Sequence, residues 1–114
     1  MEAAKSIREE LEAAEGQVPE AIYKYIRLQL VVNNDILVER QEQNKKWGFQ
    51  RHNFGKWLAI LTEEFGEVGQ AMQPLLGLTT TKPTDAQDLY EELIQLAAVA
   101  QAIAEQVREE RGLI

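Results

Sequence analysis

The sequence predicts an all-α protein folded as an antiparallel helical bundle. Apolar residues recur at helical spacing over long stretches, and all three prolines lie between those stretches. The alternation of Ile26, Leu28, Leu30 and Val32 with intervening residues is typical of a β-strand. No second strand pattern is present to pair with it, and an isolated strand leaves its backbone groups unsatisfied, so we interpret this segment as helix too.

Two helices are predicted in the first half of the chain. Residues 2–15 form the first, and Gly16 ends it. Residues 20–46 form the second, after Pro19, and whether it breaks near Asn33-Asn34 is left open. We interpret residues 1–33 as a helical arm and residues 34–114 as the main helical domain, the two making one compact domain in total.

A loop at residues 48–53 separates these helices from a third. The third helix is predicted at residues 54–73, where it stops before Pro74, and residues 77–83 form a connector.

The fourth helix is predicted to have about 27 residues. Thr84 and Gln87 form a capping box that opens it, and it reaches about Arg111, with Gly112 beyond its end. Its predicted length is about 40 Å. A compact domain of this size has a radius of gyration of about 13 Å, so the helix spans the whole molecule, which favours a bundle.

The composition excludes several classes of protein. The 114 residues include 12 basic and 19 acidic side chains, net charge −7, which argues against nucleic-acid binding because that rests on cationic side chains. The chain has no cysteine, which excludes disulfides, thiol nucleophiles and zinc–thiolate sites, and favours a reducing compartment such as the cytoplasm. No apolar run approaches the ~20 residues of a membrane span, and no signal-peptide core follows Met1, so we expect no membrane partner.

The third and fourth helices carry carboxylates at matching positions. Both read acid, acid, two spacers, then acid or amide, and at 100° per residue each set falls within an arc of about 100°. Asp88 lies in the same arc of the fourth helix. The members of the two arcs are Glu63, Glu64 and Glu67 on the third helix, and Asp88, Glu91, Glu92 and Gln95 on the fourth.

Each of these helices also has an apolar stripe beside its acidic arc. The stripe of the third helix consists of Trp57, Leu58, Leu61, Phe65, Val68 and Met72. The stripe of the fourth consists of Leu89, Leu93, Leu96, Ala100, Ile103, Ala104 and Val107. We expect the two stripes to pack together, which would place both acidic arcs at one seam. Residues 96–104 are apolar almost all round, which is typical of a buried helix.

A run of glutamates is usually a solvated helix face, and that interpretation stays open. Near an apolar seam, however, neighbouring carboxylates repel one another unless a cation or protons compensate. Oxygen ligands select a hard divalent cation, Mg²⁺ or Mn²⁺. A di-iron bundle would need Glu-x-x-His on two helices, and the single histidine, His52, is predicted in a loop.

These residues resemble the all-α nucleoside triphosphate pyrophosphohydrolases of the MazG-like type. The signature of that family is Glu-Glu-x-x-Glu followed by Glu-x-x-Asp on the next long helix. The first half is intact here from Glu63 to Glu67, and the second half reads Glu92-Leu93-Ile94-Gln95. Residues 39–52 and 57–62 are also similar to the segments that precede the motif, and the resemblance covers about residues 36–107.

The resemblance implies Mg²⁺-dependent hydrolysis of a nucleoside triphosphate to the monophosphate and pyrophosphate, with Mn²⁺ as a substitute. By the same resemblance Glu64, Glu67 and Glu92 are metal ligands, and Glu63 is a ligand or the catalytic group that orients water. Gln95 stands where the family pattern has aspartate, so the site has one negative charge fewer. Asp88 could restore that charge, or could simply favour the helix N-terminus.

Candidate substrate contacts precede the motif. Lys45, Lys46 and Arg40 are candidates for the phosphates, with ordinary surface charge as the alternative. Trp47 is a candidate for stacking on the base, whereas Trp57 lies in the apolar stripe and is expected in the core. Amide side chains could read base edges, and those predicted to do so are Gln41 and Asn44. We assign no catalytic role to His52.

Two further expectations concern assembly and the alternative functions. Residues 96–104 are apolar on more faces than one stripe can cover, so we expect a homodimer or a homotetramer, as the resemblance also implies. A non-catalytic helical interaction module with the same shape is the main alternative to the enzyme. A phosphodiesterase or nuclease using the same metals is a third interpretation, which the acidic charge disfavours.

Overall fold

The computed structural model describes residue 9 and residues 20–78 and 88–113, and there the chain is all-α, as predicted. Helix α1 spans Glu20–Trp47, α2 spans Phe54–Met72 and α3 spans Leu89–Glu110. A short 3-10 helix, Gln73–Leu76, follows α2. These described ranges contain no strand, so the alternating segment at residues 26–32 is helical.

Helix α1 is continuous through Asn33 and Asn34, so the break that the sequence left open there does not occur. An asparagine costs a helix less than about 1 kcal/mol relative to alanine, and two of them among helix-forming neighbours do not interrupt it. Tertiary contacts divide the chain into two units, Met1–Asp35 and Ile36–Ile114. The arm at residues 1–33 remains a prediction, and the helix predicted at residues 2–15 lies outside the described residues apart from Glu9.

The predicted loop at residues 48–53 is confirmed, and both of its ends are defined by local chemistry. Gly48 has a φ of 73°, a left-handed conformation that favours glycine, and its N–H donates to the carbonyl of Asn44 at 2.8 Å. At the other end Asn53 is the N-cap of α2, and its side-chain oxygen accepts from the N–H of Lys56 at 2.9 Å. The loop is therefore tied to the end of one helix and the start of the next.

Helix α3 begins at Leu89, later than predicted. Asp88 is its N-cap, and the Asp88 carboxylate accepts from the N–H groups of Tyr90 at 2.9 Å and Glu91 at 3.2 Å. The predicted capping box of Thr84 and Gln87 lies outside the described residues. With 22 residues α3 is about 33 Å long, shorter than predicted. Gly112 follows its end with a φ of 71°.

Helices α2 and α3 pack antiparallel within the unit Ile36–Ile114. Trp57 near the start of α2 hydrogen-bonds Gln106 near the end of α3, and Glu64 lies beside Glu92 near the start of α3. Along this interface Trp57 packs with Val99 and Ala102 in a buried core. Three partly buried residues pack against that core, namely Ile60, Leu61 and Ile103.

The predicted packing of the two apolar stripes is wrong in large part. Leu58 and Phe65 of the α2 stripe are 64% and 67% exposed, and Leu93, Ala100 and Ala104 of the α3 stripe are exposed as well. Helix α3 instead buries the face that continues its acidic arc. The buried residues of that face are Glu92, Ile94, Ala98, Val99, Ala102 and Gln106. Both faces of α3 are apolar, so the pattern alone could not select the one that packs on α2.

None of the helices in the described ranges combines the length and the hydropathy needed to cross a membrane.

Candidate metal centre and the adjoining cleft

Three carboxylates from two helices meet at one point of the structure. Glu64 and Glu67 are one turn apart on α2, and Glu92 stands opposite them in the first turn of α3. Each offers an oxygen that lies within 4.8 Å of the others. We refer to these three residues as the carboxylate cluster.

Much of the carboxylate cluster is shielded from water. Glu92 is only 1% exposed. Glu64 is half-buried, and its Oε2 atom is buried with no hydrogen-bond partner among the described residues. Burial, reinforced by the charges of Glu67, Glu92 and Glu63, raises the pKa of Glu64 to about 7. The ionised cluster is therefore electrostatically costly without compensation.

The donor set of the cluster fits a small hard cation. Mg²⁺ takes oxygen ligands at about 2.1 Å in octahedral geometry, which puts opposing ligands about 4.2 Å apart. Carboxylate oxygens within 4.8 Å of one another need little movement to meet that requirement. A divalent cation would also offset the burial and the repulsion that together raise the pKa of Glu64. All-oxygen ligation favours Mg²⁺ or Mn²⁺ over zinc or copper.

A cleft of about 640 Å³ adjoins the cluster, and this volume suits a small-molecule ligand. The C-terminal part of α1, the loop at residues 48–53, α2 and α3 all contribute to its walls. Glu63, Glu64 and Gln95 line the part of the cleft next to the carboxylate cluster. Lys56 lines it two helical turns earlier on α2, near the loop.

The predicted substrate contacts divide into two groups. Asn44, Lys46 and Trp47 line the cleft, and the Lys46 ammonium lies 5.8 Å from the centre of the Trp47 ring. Gln41 and Lys45 are exposed and lie outside the cleft wall, and Lys45 forms a surface ion pair instead. Helical periodicity explains the division, because residues 40, 44 and 47 share one face of α1 and residues 41 and 45 do not.

Arg40 also lines the cleft, but its guanidinium is committed to α3. It is buried, pairs with Glu105 through both terminal nitrogens, and donates to Gln101 at 3.0 Å. The guanidinium holds the pKa of Glu105 below its ordinary value. Arg40 therefore joins α1 to α3 and has few donors left for a phosphate.

The remaining predicted site residues lie near the cluster but outside it. Glu63 and Gln95 line the cleft, where either can face a ligand. The carboxylate of Asp88 accepts two backbone hydrogen bonds at the start of α3. Its capping role is thus observed, and its role toward a metal stays a prediction.

The cleft residues that were not singled out as contacts from the sequence include the polar side chains of Glu39, Gln43, Gln50, His52 and Lys56. Gln43 could have been found from its position on the same face of α1 as Arg40 and Trp47. Gln50 and His52 belong to a loop, where no periodicity indicates which side chains turn inward.

No protein-family model matches the chain, and neither curated proteins nor solved structures show a significant match to it. What the structure defines is an all-α protein with a shielded carboxylate cluster beside a ligand-sized cleft.

Proposed function

We propose that this chain is a Mg²⁺-dependent nucleoside triphosphate pyrophosphohydrolase that acts in the cytoplasm. The observation that carries the proposal is the carboxylate cluster at the edge of a cleft lined by cationic, amide and aromatic side chains. The resemblance of the Glu63–Glu67 and Glu92–Gln95 segments to the MazG-like motif supports the same reaction. Hydrolysis breaks the anhydride between the α- and β-phosphates and releases the monophosphate and pyrophosphate.

In this proposal the cluster residues Glu64, Glu67 and Glu92 hold Mg²⁺, or Mn²⁺ in its place. The bound ion supplies charge neutralisation for the phosphates and lowers the pKa of water. Glu63 lines the cleft next to the cluster. It orients the attacking water and accepts its proton, while the hydroxyl goes to phosphorus and pyrophosphate leaves.

The opposite part of the cleft binds the rest of the nucleotide. Lys46 and Lys56 contact phosphate oxygens, which an acidic protein could not attract without local cations. Trp47 is 62% exposed and offers a ring face to the base. Asn44 offers an amide to the edge of the base.

The test is pyrophosphate release over a panel of ribo- and deoxyribonucleoside triphosphates with Mg²⁺. We expect activity on at least one of them, loss of activity in chelator, and recovery with Mg²⁺ or Mn²⁺. Undiminished activity in chelator would refute the metal centre.

A non-catalytic interaction module is the second candidate, and exposed apolar residues such as Leu58 and Phe65 favour it. It predicts no hydrolysis of any nucleotide and a partner bound through that face.

We also propose that the chain forms a homodimer or a homotetramer. The α3 stripe that α2 leaves exposed, including Leu93 and Ala100, supports this assembly because it offers an apolar face to a second copy. Sedimentation at micromolar concentration should show a dimer or larger. A stable species of 13.0 kDa would contradict it.

A further inference from the structure

One buried side chain, Gln106 of α3, joins the loop at residues 48–53 to α2. It is 7% exposed. Its Oε1 atom accepts from the indole N–H of Trp57 at 2.7 Å and from the backbone N–H of His52 at 3.0 Å. Its Nε2 atom donates to the carbonyl of His52 at 2.7 Å and to Glu110 at 3.0 Å. Every hydrogen-bonding position of the amide is used.

This arrangement matters because the loop has no regular secondary structure to hold it. Gln106 pairs with both backbone groups of His52, as a neighbouring strand would. A second side-chain tie between the loop and α3 joins Arg51 to Glu109 at 2.9 Å, but it is exposed to solvent. Exposed ion pairs contribute little to stability, whereas a buried polar group that loses its hydrogen-bond partners is costly. Gln106 is therefore the stronger anchor.

The anchored residues form one wall of the cleft. The His52 ring packs edge-on against Trp57 with 4.8 Å between centroids, and His52 Nε2 lies 3.0 Å from Gln50 Oε1. Gln50, His52 and Trp57 all line the cleft that Glu63 and Glu64 also line. Through its hydrogen bonds Gln106 sets where this wall stands relative to the carboxylates, although Gln106 itself is not part of the lining.

We infer that Gln106 is a positioning residue, which fixes the loop wall against which the nucleotide binds and takes no part in holding the metal. The identity of the ligand rests on the proposed function. Without Gln106, His52 and Trp57 lose their shared partner, the loop samples other positions, and the nucleotide must order it on binding. Affinity for the nucleotide then falls, while the carboxylate cluster, on the preceding turns of α3 and on α2, is undisturbed.

The test compares Gln106→Met with Glu109→Gln. Methionine keeps the length of the side chain but cannot make the hydrogen bonds, and Glu109→Gln weakens the exposed tie to the same loop. For Gln106→Met we expect KM to rise at least about tenfold, equivalent to ~1.4 kcal/mol, with kcat within about twofold of wild type. Mn²⁺ binding without nucleotide should be unchanged. Glu109→Gln should leave KM and kcat nearly at their wild-type values.

Trp57→Phe is a second variant in case Gln106→Met does not fold. It removes the indole N–H that donates to Gln106 Oε1, together with the five-membered part of the ring, and keeps both hydrogen bonds between Gln106 and His52, so it should raise KM by a smaller factor. Unchanged KM in folded Gln106→Met, or a parallel loss of Mn²⁺ affinity, would overturn the inference.

A second measurement needs no activity and separates this inference from the proposed function. Deuterium uptake at residues 48–53 should be faster in Gln106→Met than in wild type or Glu109→Gln. Equal uptake would overturn the positioning role whatever the nucleotide data show. If the wild-type protein neither hydrolyses nor binds any nucleotide, the proposed function fails. Deuterium uptake alone then decides whether Gln106 holds the loop.

Discussion

The two ends of the α2–α3 pair bury polar side chains in opposite ways. At one end Gln106 satisfies His52 and Trp57 with short hydrogen bonds and no net charge. At the other end three carboxylates lie within 4.8 Å of one another, and the Oε2 atom of Glu64 has no hydrogen-bond partner among the described residues. The first arrangement stabilises the fold, whereas the second costs stability as long as the carboxylates are ionised and uncompensated.

This difference separates polar residues that already have hydrogen-bond partners from carboxylates that we propose bind a cation, on two sides of one cleft. A neutral group of side chains whose hydrogen bonds are all made is not stabilised further by a ligand. A shielded cluster of like charges gains from any cation that fits it, because binding to the folded state stabilises that state.

The largest expected effect is on turnover. Glu64→Gln, Glu67→Gln and Glu92→Gln should each lower kcat/KM more than about 100-fold, because changes outside a ligand set already cost about 10–100-fold. Glu91→Gln is the matched control, since Glu91 is exposed beside Glu92 and should keep nearly full activity. Pyrophosphate release measures the activity of the three cluster variants and of the control. Equal losses in Glu91→Gln and Glu92→Gln would contradict the assignment of the cluster.

Thermal unfolding in chelator sharpens the contrast between the two ends. Glu64→Gln should be at least as stable as wild type, because it removes a repelling charge, whereas Gln106→Met should be less stable. A lower melting temperature for Glu64→Gln would indicate that Glu64 is structural.

The next effect concerns the end of the α2–α3 pair that contains Gln106, where Arg40 pairs with Glu105. Glu105→Gln should lower the free energy of unfolding at pH 7 by about 1–2 kcal/mol, a range that allows for solvent at the half-exposed carboxylate. Arg40 lowers the pKa of Glu105, so the unfolded chain takes up this proton at a higher pH than the folded one. The stabilisation is complete above about pH 4.3 and is lost as pH falls through the lowered pKa.

Urea unfolding at pH 7 and pH 3 checks this prediction. The difference in the free energy of unfolding between wild type and Glu105→Gln should be smaller at pH 3 than at pH 7. A difference of the same size at both pH values would show that the charge of Glu105 is not its source.

A smaller effect is expected where Gln95 borders the carboxylate cluster. Gln95→Asp adds a negative charge at the cleft wall and should lower the Mg²⁺ concentration for half-maximal rate several-fold. Gln95→Asn is the neutral control and should not lower it. An unchanged Mg²⁺ titration in Gln95→Asp would show that this side chain does not act on the ion.

The smallest effect concerns Asp88. Asp88→Ala should cost about 1 kcal/mol of stability through loss of the cap, while Asp88→Asn should cost little because asparagine also caps helices. Neither change should alter the Mg²⁺ titration. A higher Mg²⁺ requirement in Asp88→Asn would instead give Asp88 the role of restoring the charge that Gln95 lacks.

The sequence by itself determined the all-α class, the loop at residues 48–53 and the arc of α2 that Glu64 and Glu67 share. These follow from local chemistry. Helical periodicity fixes which carboxylates share an arc, and glycine and asparagine define where helices end.

Only the tertiary structure decided which faces meet. Periodicity gives the angle of each residue about its own helix, but not the rotation of that helix against its neighbour, which depends on packing summed over both. With apolar residues on two faces of α3, the stripe through Leu93 and the face through Ala98 were equally good candidates. The same rotation buries Gln106 under the loop, and nothing local distinguishes Gln106 from the other glutamines of the chain.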